Sequence, residues 1–368
     1  MTGAPEFDIR WSRPEDEPDI RALIGSVAMP GAVAVRFARE PDYFLGASIM
    51  GDPCDVLVAR HQPGGELAGI ACRAENRAFV NGREEKLGYI GQIRIAPEYR
   101  GRWLVNTGAE MFRLASPPGL LYFGVIASDN PRARQLLAGT RPPAGLRVRH
   151  ISGITTCAIL LRPVKVKHIS GIDVLPGSAE MMPEIVNFLW ENGPNRQFFP
   201  AYSLEDFTGG SRLRGLSPED FVVVRHDGKI AGVMAVWDQS AYKQDIIDSY
   251  GPMLRRLRPI YDFAARLISA RPLTPPGQVM PLAFASCICV AGDDPAVMRA
   301  LLPACVNTAY KHGKAYLMLG LSDGDPLLPL VKRYLHVTYH SDLFALSWSD
   351  GVVDRVDGRV PYIEIATL

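Results

Sequence analysis

The feature that most constrains this chain is that it contains itself twice. Residues 7–25, FDIRWSRPEDEPDIRALIG, align with residues 172–190, IDVLPGSAEMMPEIVNFLW, so that Asp8 and Asp173 stand 165 positions apart. The same step carries Ile20 to Ile185, Leu23 to Phe188 and Ile24 to Leu189. These positions follow the i, i+3, i+4 spacing of one buried helix face. Each half therefore opens with a short strand and an amphipathic helix. The next unit repeats as strand–turn–strand: DVLVARHQPGGELAGIACRA and FVVVRHDGKIAGVMAVW keep Arg60-His61 and Arg225-His226 at a step of 165. Each turn is centred on glycine, as hairpins require. In the first half alone, Asn81-Gly82 predicts a further hairpin leading into the strand that ends at Ile95.

Farther on, LLYFGVIASDNPRARQLL matches AYLMLGLSDGDPLLPLV, with Ser128-Asp129 and Ser322-Asp323 now 194 apart. The step at the preceding hairpin is 163, from Gly69 to Gly232, so the second half carries an insertion of 31 residues between Trp237 and Cys287. Within it, Ile246, Tyr250, Leu254, Leu257, Tyr261, Ala264 and Ile268 recur at helical spacing, with Pro252 and Pro259 as interruptions. Two or three short helical pieces are expected, with Arg255, Arg256, Arg258 and Arg266 as the basic remainder beside the apolar stripe, either packed on the sheet or forming a lid whose arginines meet an anionic acceptor or carrier. The order of elements implies an α/β fold, a mixed sheet with helices on both faces. The expected division is 1–164 and 165–368, with the helical insertion at about 239–280.

Bulk properties exclude some function classes. Forty basic against 39 acidic residues leave a net charge of +1, which gives no electrostatic reason to expect nucleic acid. No apolar run is long enough to span a membrane, and the first residues lack a signal-peptide core. Cys54, Cys72, Cys157, Cys287, Cys289 and Cys305 are scattered without a C-x-x-C pair, as buried reduced thiols of a cytoplasmic protein would be. Cys287 and Cys289 alternate along an apolar strand and are expected on one face. The seven histidines form no metal constellation; His336 and His340 share one face of an extended stretch with no carboxylate partner.

The stretch IRIAPEYRGRWLVNTGAEMF, 93–112, reads as a strand, a tight basic turn and a helix start. A helix N-terminus offers unpaired amides and a positive dipole end, the elements of a phosphate site. This stretch resembles the acyl-CoA loop of the GNAT N-acyltransferase superfamily, and SDNPRARQLL resembles that family's next strand–helix junction. Each half is similar to one GNAT domain, the first from about Phe7 to about Leu161 and the second in element order but not in its loop. The resemblance implies tandem GNAT-like domains and an acyl-CoA-dependent N-acyltransferase, with acetyl-CoA or another acyl-CoA as substrate and a small-molecule or carrier-bound amine as acceptor. It implies CoA contacts from Ile93, Ile95, Arg100, Gly101, Arg102, Trp103, Leu104, Val105 and Asn130. Trp103 and Val105 stand where the family has glycines, which leaves the amide donors in place but narrows the phosphate's approach. In the second half the loop falls on Asp294-Pro295, where an N-cap and a first-turn proline satisfy the amides internally and a carboxylate repels phosphate.

No catalytic residue emerges. The family's tyrosine acid falls on Leu137, Glu84 and Glu85 read as exposed hairpin carboxylates, and Tyr89 and Gln92 lie on the strand without further support. The alternative is a GNAT-fold binding or interaction protein that has lost its chemistry.

Overall fold

The computed structural model describes every residue except 1–5, Pro30, Ala32, Arg102 and 139–141. The first half runs β1 (Phe7–Trp11), α1 (Glu17–Ser26), β2 (Val33–Ala38), α2 (Tyr43–Ala47), β3 (Cys54–His61), β4 (Leu67–Val80), β5 (Arg83–Ile95), α3 (Leu104–Ala115), β6 (Leu121–Ala127), α4 (Pro131–Ala138) and β7 (Arg147–Leu160). The second runs β8 (Ile172–Pro176), α5 (Met182–Asn192), β9 (Phe221–His226), β10 (Lys229–Trp237), β11 (Gln244–Tyr250), α6 (Pro252–Leu267), β12 (Leu282–Val290), α7 (Pro295–Lys311), β13 (Tyr316–Ser322), α8 (Leu328–Val331) and β14 (His336–Ser347).

The repeated stripe is the repeated core. Ile20, Leu23 and Ile24 are the buried residues of α1, and Ile185, Phe188 and Leu189 are buried in α5. Asn81 and Gly82 turn β4 into β5 with φ of 53° and 77°, the left-handed pair that a two-residue hairpin requires.

Twelve strands form one mixed sheet in the order β1-β3-β4-β5-β6-β14-β7-β13-β12-β10-β9-β8. The order mirrors itself about the centre, and the two central strands have changed places. β14, the last strand of the second half, pairs with β6, while β7 of the first half pairs with β13. Each half thus completes its sheet with the other's final strand. One large apolar core runs beneath the junction, uniting Phe79, Leu87, Leu121 and Ile154 with Phe221, Trp237, Leu301 and Leu317.

The insertion departs from expectation. Residues 244–250 are a strand, not a helix, because β11 pairs antiparallel with β2 of the other half, Asp245 opposite Phe37 and Tyr250 opposite Val33. Tertiary pairing overrides a spacing that suits a helix as well. α6 is a single helix of 16 residues with Pro252 in its first turn and Pro259 inside, at the loss of one ladder hydrogen bond. It packs through Leu254, Tyr261 and Ala265, while Met253, Ile260, Phe263 and Leu267 are exposed.

Candidate active site

In each half a V-shaped opening forms where two parallel neighbours separate. β5 pairs with β6 only from Leu87 to Tyr89, opposite Leu121 to Phe123, and the strands then diverge. β12 and β13 pair over Leu282 to Phe284 and diverge in the same way. At each divergence the first strand carries a bulge. Two residues of β5, Gln92 and Ile93, fall between the pairs Cys72–Gly91 and Ile70–Arg94, and Gln92 adopts φ of 52°. In β12, Cys287 and Ile288 fall between Ala235–Ser286 and Val233–Cys289, and Cys287 adopts φ of 53°. A bulge turns backbone amides out of the ladder and re-aims the strand. That second bulge also breaks the simple alternation expected to put Cys287 and Cys289 on one face; both are buried.

Among the described residues the first opening holds the larger cavity, about 480 Å³ against about 220 Å³ at the second, and it is lined mostly by apolar side chains. Of the residues expected at a CoA site, Ile93, Ile95, Leu104, Val105 and Asn130 line it. Arg100, Gly101 and Trp103 sit at the adjoining turn outside the lining, and Arg102 lies outside the described residues. Gly101 has φ of 85°, a left-handed turn residue as its glycine suggests. Trp103 directs its ring to Phe7, centroids 5.9 Å apart and edge-on, so its bulk lies away from the cavity. Among the described residues no side chain caps α3, while Asn130 Oδ1 accepts from Ala133 N at 3.1 Å and caps α4.

Leu137 lines the cavity and carries no proton. Glu84 and Glu85 are engaged in surface ion pairs with Arg77 and Arg355, at 3.0 and 2.7 Å. Tyr89 and Gln92 do reach the cavity. The Tyr89 hydroxyl makes no hydrogen bond among the described residues, its ring lies over Gly91 where any Cβ would collide, and burial raises its pKa. Likewise, among the described residues no side chain bonds to the amides of Gln92 or Ile93.

Sequence reasoning missed the opposite wall. β2 and β11 bring Phe37, Arg39, Lys243 and Asp245 to the cavity. Lys243 and Asp245 are two apart on extended chain and so share a face, a signal that reading this stretch as helix concealed. The Lys243 Nζ donates to the backbone oxygens of Ala366 and Leu368, each at 2.8 Å. Burial, with help from Arg39, pushes its pKa down to about 7. Burial raises the pKa of Asp245, opposed by Arg39 and then Lys243. α6 contributes nothing to this lining, so the idea of a helical lid gives way to a strand that walls the cavity.

The second opening is filled by the chain's own last segment. Glu364, 4% exposed, accepts from Cys287 N at 2.8 Å and from Tyr362 Oη at 2.9 Å, and Ile288 N donates to Tyr362 Oη at 3.1 Å. Ile365 presses on Gly320 of β13, where a Cβ would have no room. Beyond, Asp294 Oδ1 caps α7 by accepting from Ala296 N at 2.7 Å, as its position predicts. The remaining space, about 220 Å³, is bordered by Asp293 and Asp325, both paired with Arg196.

No family model and no curated protein sequence matches the chain. Solved structures do. A GCN5-related glucosamine N-acetyltransferase region of a fungal multi-domain GH3 β-N-acetylglucosaminidase aligns with TM-score 0.61 and 14% identity, over 94% of this chain and 38% of that one. A GCN5-related N-acetyltransferase from Sphaerobacter thermophilus aligns with TM-score 0.55 and 15% identity over 99% of both chains. Saccharomyces cerevisiae N-myristoyltransferase with bound myristoyl-CoA aligns with TM-score 0.57 and 11% identity, over 99% of this chain and 88% of that one. The chain therefore has the fold of two GNAT-like halves joined in one sheet.

Proposed function

We propose that this tandem GNAT-fold chain is an acyl-CoA-dependent N-acyltransferase whose thioester occupies the opening of the N-terminal half. One observation carries the reading: two equivalent bulges exist, and only that at Gln92 faces a large cavity, since Glu364 and Tyr362 bind the amides at Cys287 and Ile288. The uncapped start of α3 suits the pyrophosphate of acetyl-CoA or another acyl-CoA. Ile93, Ile95, Leu104 and Val105 suit its pantetheine arm.

In the reaction the acceptor nitrogen attacks the thioester carbonyl, the C–S bond breaks, and CoA thiolate leaves. Backbone amides at the Gln92 bulge can stabilise the carbonyl oxygen as its charge develops. Asp245 is the wall carboxylate available to the ammonium proton, and its raised pKa brings it nearer that of an amine. Tyr89, kept protonated by burial, can return a proton to the thiolate. The acceptor is a small-molecule or carrier-bound amine.

Two measurements test the reading: the melting temperature with and without acetyl-CoA, and thiol release with a panel of amines. Tyr89→Phe is expected to lower kcat with little change in KM. Stabilisation by acetyl-CoA with no thiol release from any amine would favour a binding protein instead. No stabilisation would overturn the N-terminal CoA site.

A further inference from the structure

Resting on the acyltransferase reading, the arrangement of Arg39 and Arg94 points to an acceptor class: we propose that the amine carries a carboxylate, as an amino acid does. Arg39 lines the cavity at 2% exposure, and its only hydrogen bond among the described residues is Nη1 to the carbonyl of Ala38 at 2.8 Å. Its Nε is buried without a partner, and no carboxylate lies within ion-pair distance among the described residues. Arg94 lines the same cavity; its Nε is also buried without a partner, and among the described residues its one hydrogen bond is Nη2 to the sulfur of Met29 at 3.5 Å. The two guanidinium groups each lie 5.6 Å from the Phe37 ring centroid.

Two cations on one ring repel, Arg39 being buried and Arg94 partly so. A buried charge left unpaired costs stability, so its retention indicates a partner supplied from outside. Guanidinium is matched to carboxylate by its planar fork of donors. The charged groups around the pair are Lys243 and Asp245, with Arg100 farther along on the Arg94 side and Glu364 behind Lys243, and with Tyr43 and Tyr89 as neutral hydroxyls. A carboxylate at Arg39 and Arg94 with an ammonium toward Asp245 sets each end of the acceptor against an opposite charge. Such a zwitterion presents its nitrogen to the cavity in which the thioester lies. CoA's own phosphates are the other anions at hand, but the uncapped start of α3 is the site proposed for them.

The experiment compares α-amino acids with their α-amides as acceptors for acetyl-CoA, in the intact chain and in Arg39→Met. The acid is expected to exceed the amide roughly 10- to 100-fold in kcat/KM, as a charged hydrogen-bonded pair commonly does. In Arg39→Met that ratio falls toward one through the acceptor KM, while the melting shift caused by acetyl-CoA is unchanged. Arg39→Met is also expected to melt no lower than the parent without ligand, because it removes an unpaired buried charge; Arg39→Lys separates charge from fork geometry. A second readout avoids turnover: N-acetyl amino acids, but not N-acetyl amino amides, should raise the melting temperature, and Arg39→Met should lose that rise. Equal turnover of acid and amide, or an Arg39→Met whose loss lies in acetyl-CoA binding, overturns the carboxylate site. If acetyl-CoA neither stabilises the chain nor is turned over, the acyltransferase reading fails. The N-acetyl amino acid shift still decides on the carboxylate site.

Discussion

The two openings of this molecule are built alike and used differently. Both have parallel strands that separate after three paired residues, and both have a bulge with a left-handed residue, Gln92 or Cys287. In the first half the bulge faces a cavity of about 480 Å³ and α3 begins without a cap. In the second, Glu364 and Tyr362 take the bulge amides and Asp294 takes that of the following helix. A carboxylate and a hydroxyl of the chain's own tail thus sit where a ligand's oxygens would. The two halves share the backbone device; what fills it decides whether the device can bind.

The sharpest way to break this comparison is to reverse charge at the two loops. Arg100→Glu is expected to abolish stabilisation by CoA, because it sets a carboxylate beside the open α3 terminus, while Asp294→Ala leaves that stabilisation unchanged. Equal loss from both, read as melting shifts, would erase the distinction between the halves. Next in size, Glu364→Ala should cost on the order of 2–4 kcal/mol in chemical denaturation, since it strands the Cys287 amide and the Tyr362 hydroxyl in a buried place. A near-zero cost would mean the second opening does not depend on its plug.

A titration sharpens the comparison further. Lys243 holds its pKa at about 7, below its ordinary 10.5, because burial penalises its charge. A depressed base binds fewer protons folded than unfolded, so this group's contribution to stability is present above about 10.5 and is lost as pH falls through about 7. The parent should therefore gain stability relative to Lys243→Met as pH rises across that window. A flat difference from denaturation at several pH values would show that Lys243 is not desolvated. The smallest effect is Asp294→Ala on stability itself, about 1 kcal/mol for a lost N-cap.

Much of this architecture was legible because it is local. The stripe Ile20, Leu23, Ile24 and its copy in α5 announce their helices, Asn81-Gly82 announces its hairpin, and Asp294-Pro295 announces a capped helix. The CoA-side wall was legible in part: five of nine expected residues line the cavity, and the turn residues stand beside it. What escaped is non-local. The bulges have no residue signature, since Gln92 and Cys287 share nothing but their place beside diverging strands. Lys243 and Asp245 were hidden because β11 is fixed by pairing with β2, some 200 residues away. The plug escaped for the same reason: Cys287 and Glu364 are 77 positions apart.

The exchange of central strands has a consequence for how the molecule can form. The first half's sheet is incomplete until β14 arrives, and the Ser128–Asp342 hydrogen bond at that seam closes a span of 214 positions. Contacts of such long range slow folding, because the ordering of the intervening chain must precede the contact that rewards it. During synthesis, β6 and β7 emerge with their shared neighbour still unmade, exposing strand edges that other chains could pair with. Each half can pair five of its own strands, but neither completes its sheet until the other supplies the sixth, so the final step of folding couples the two halves.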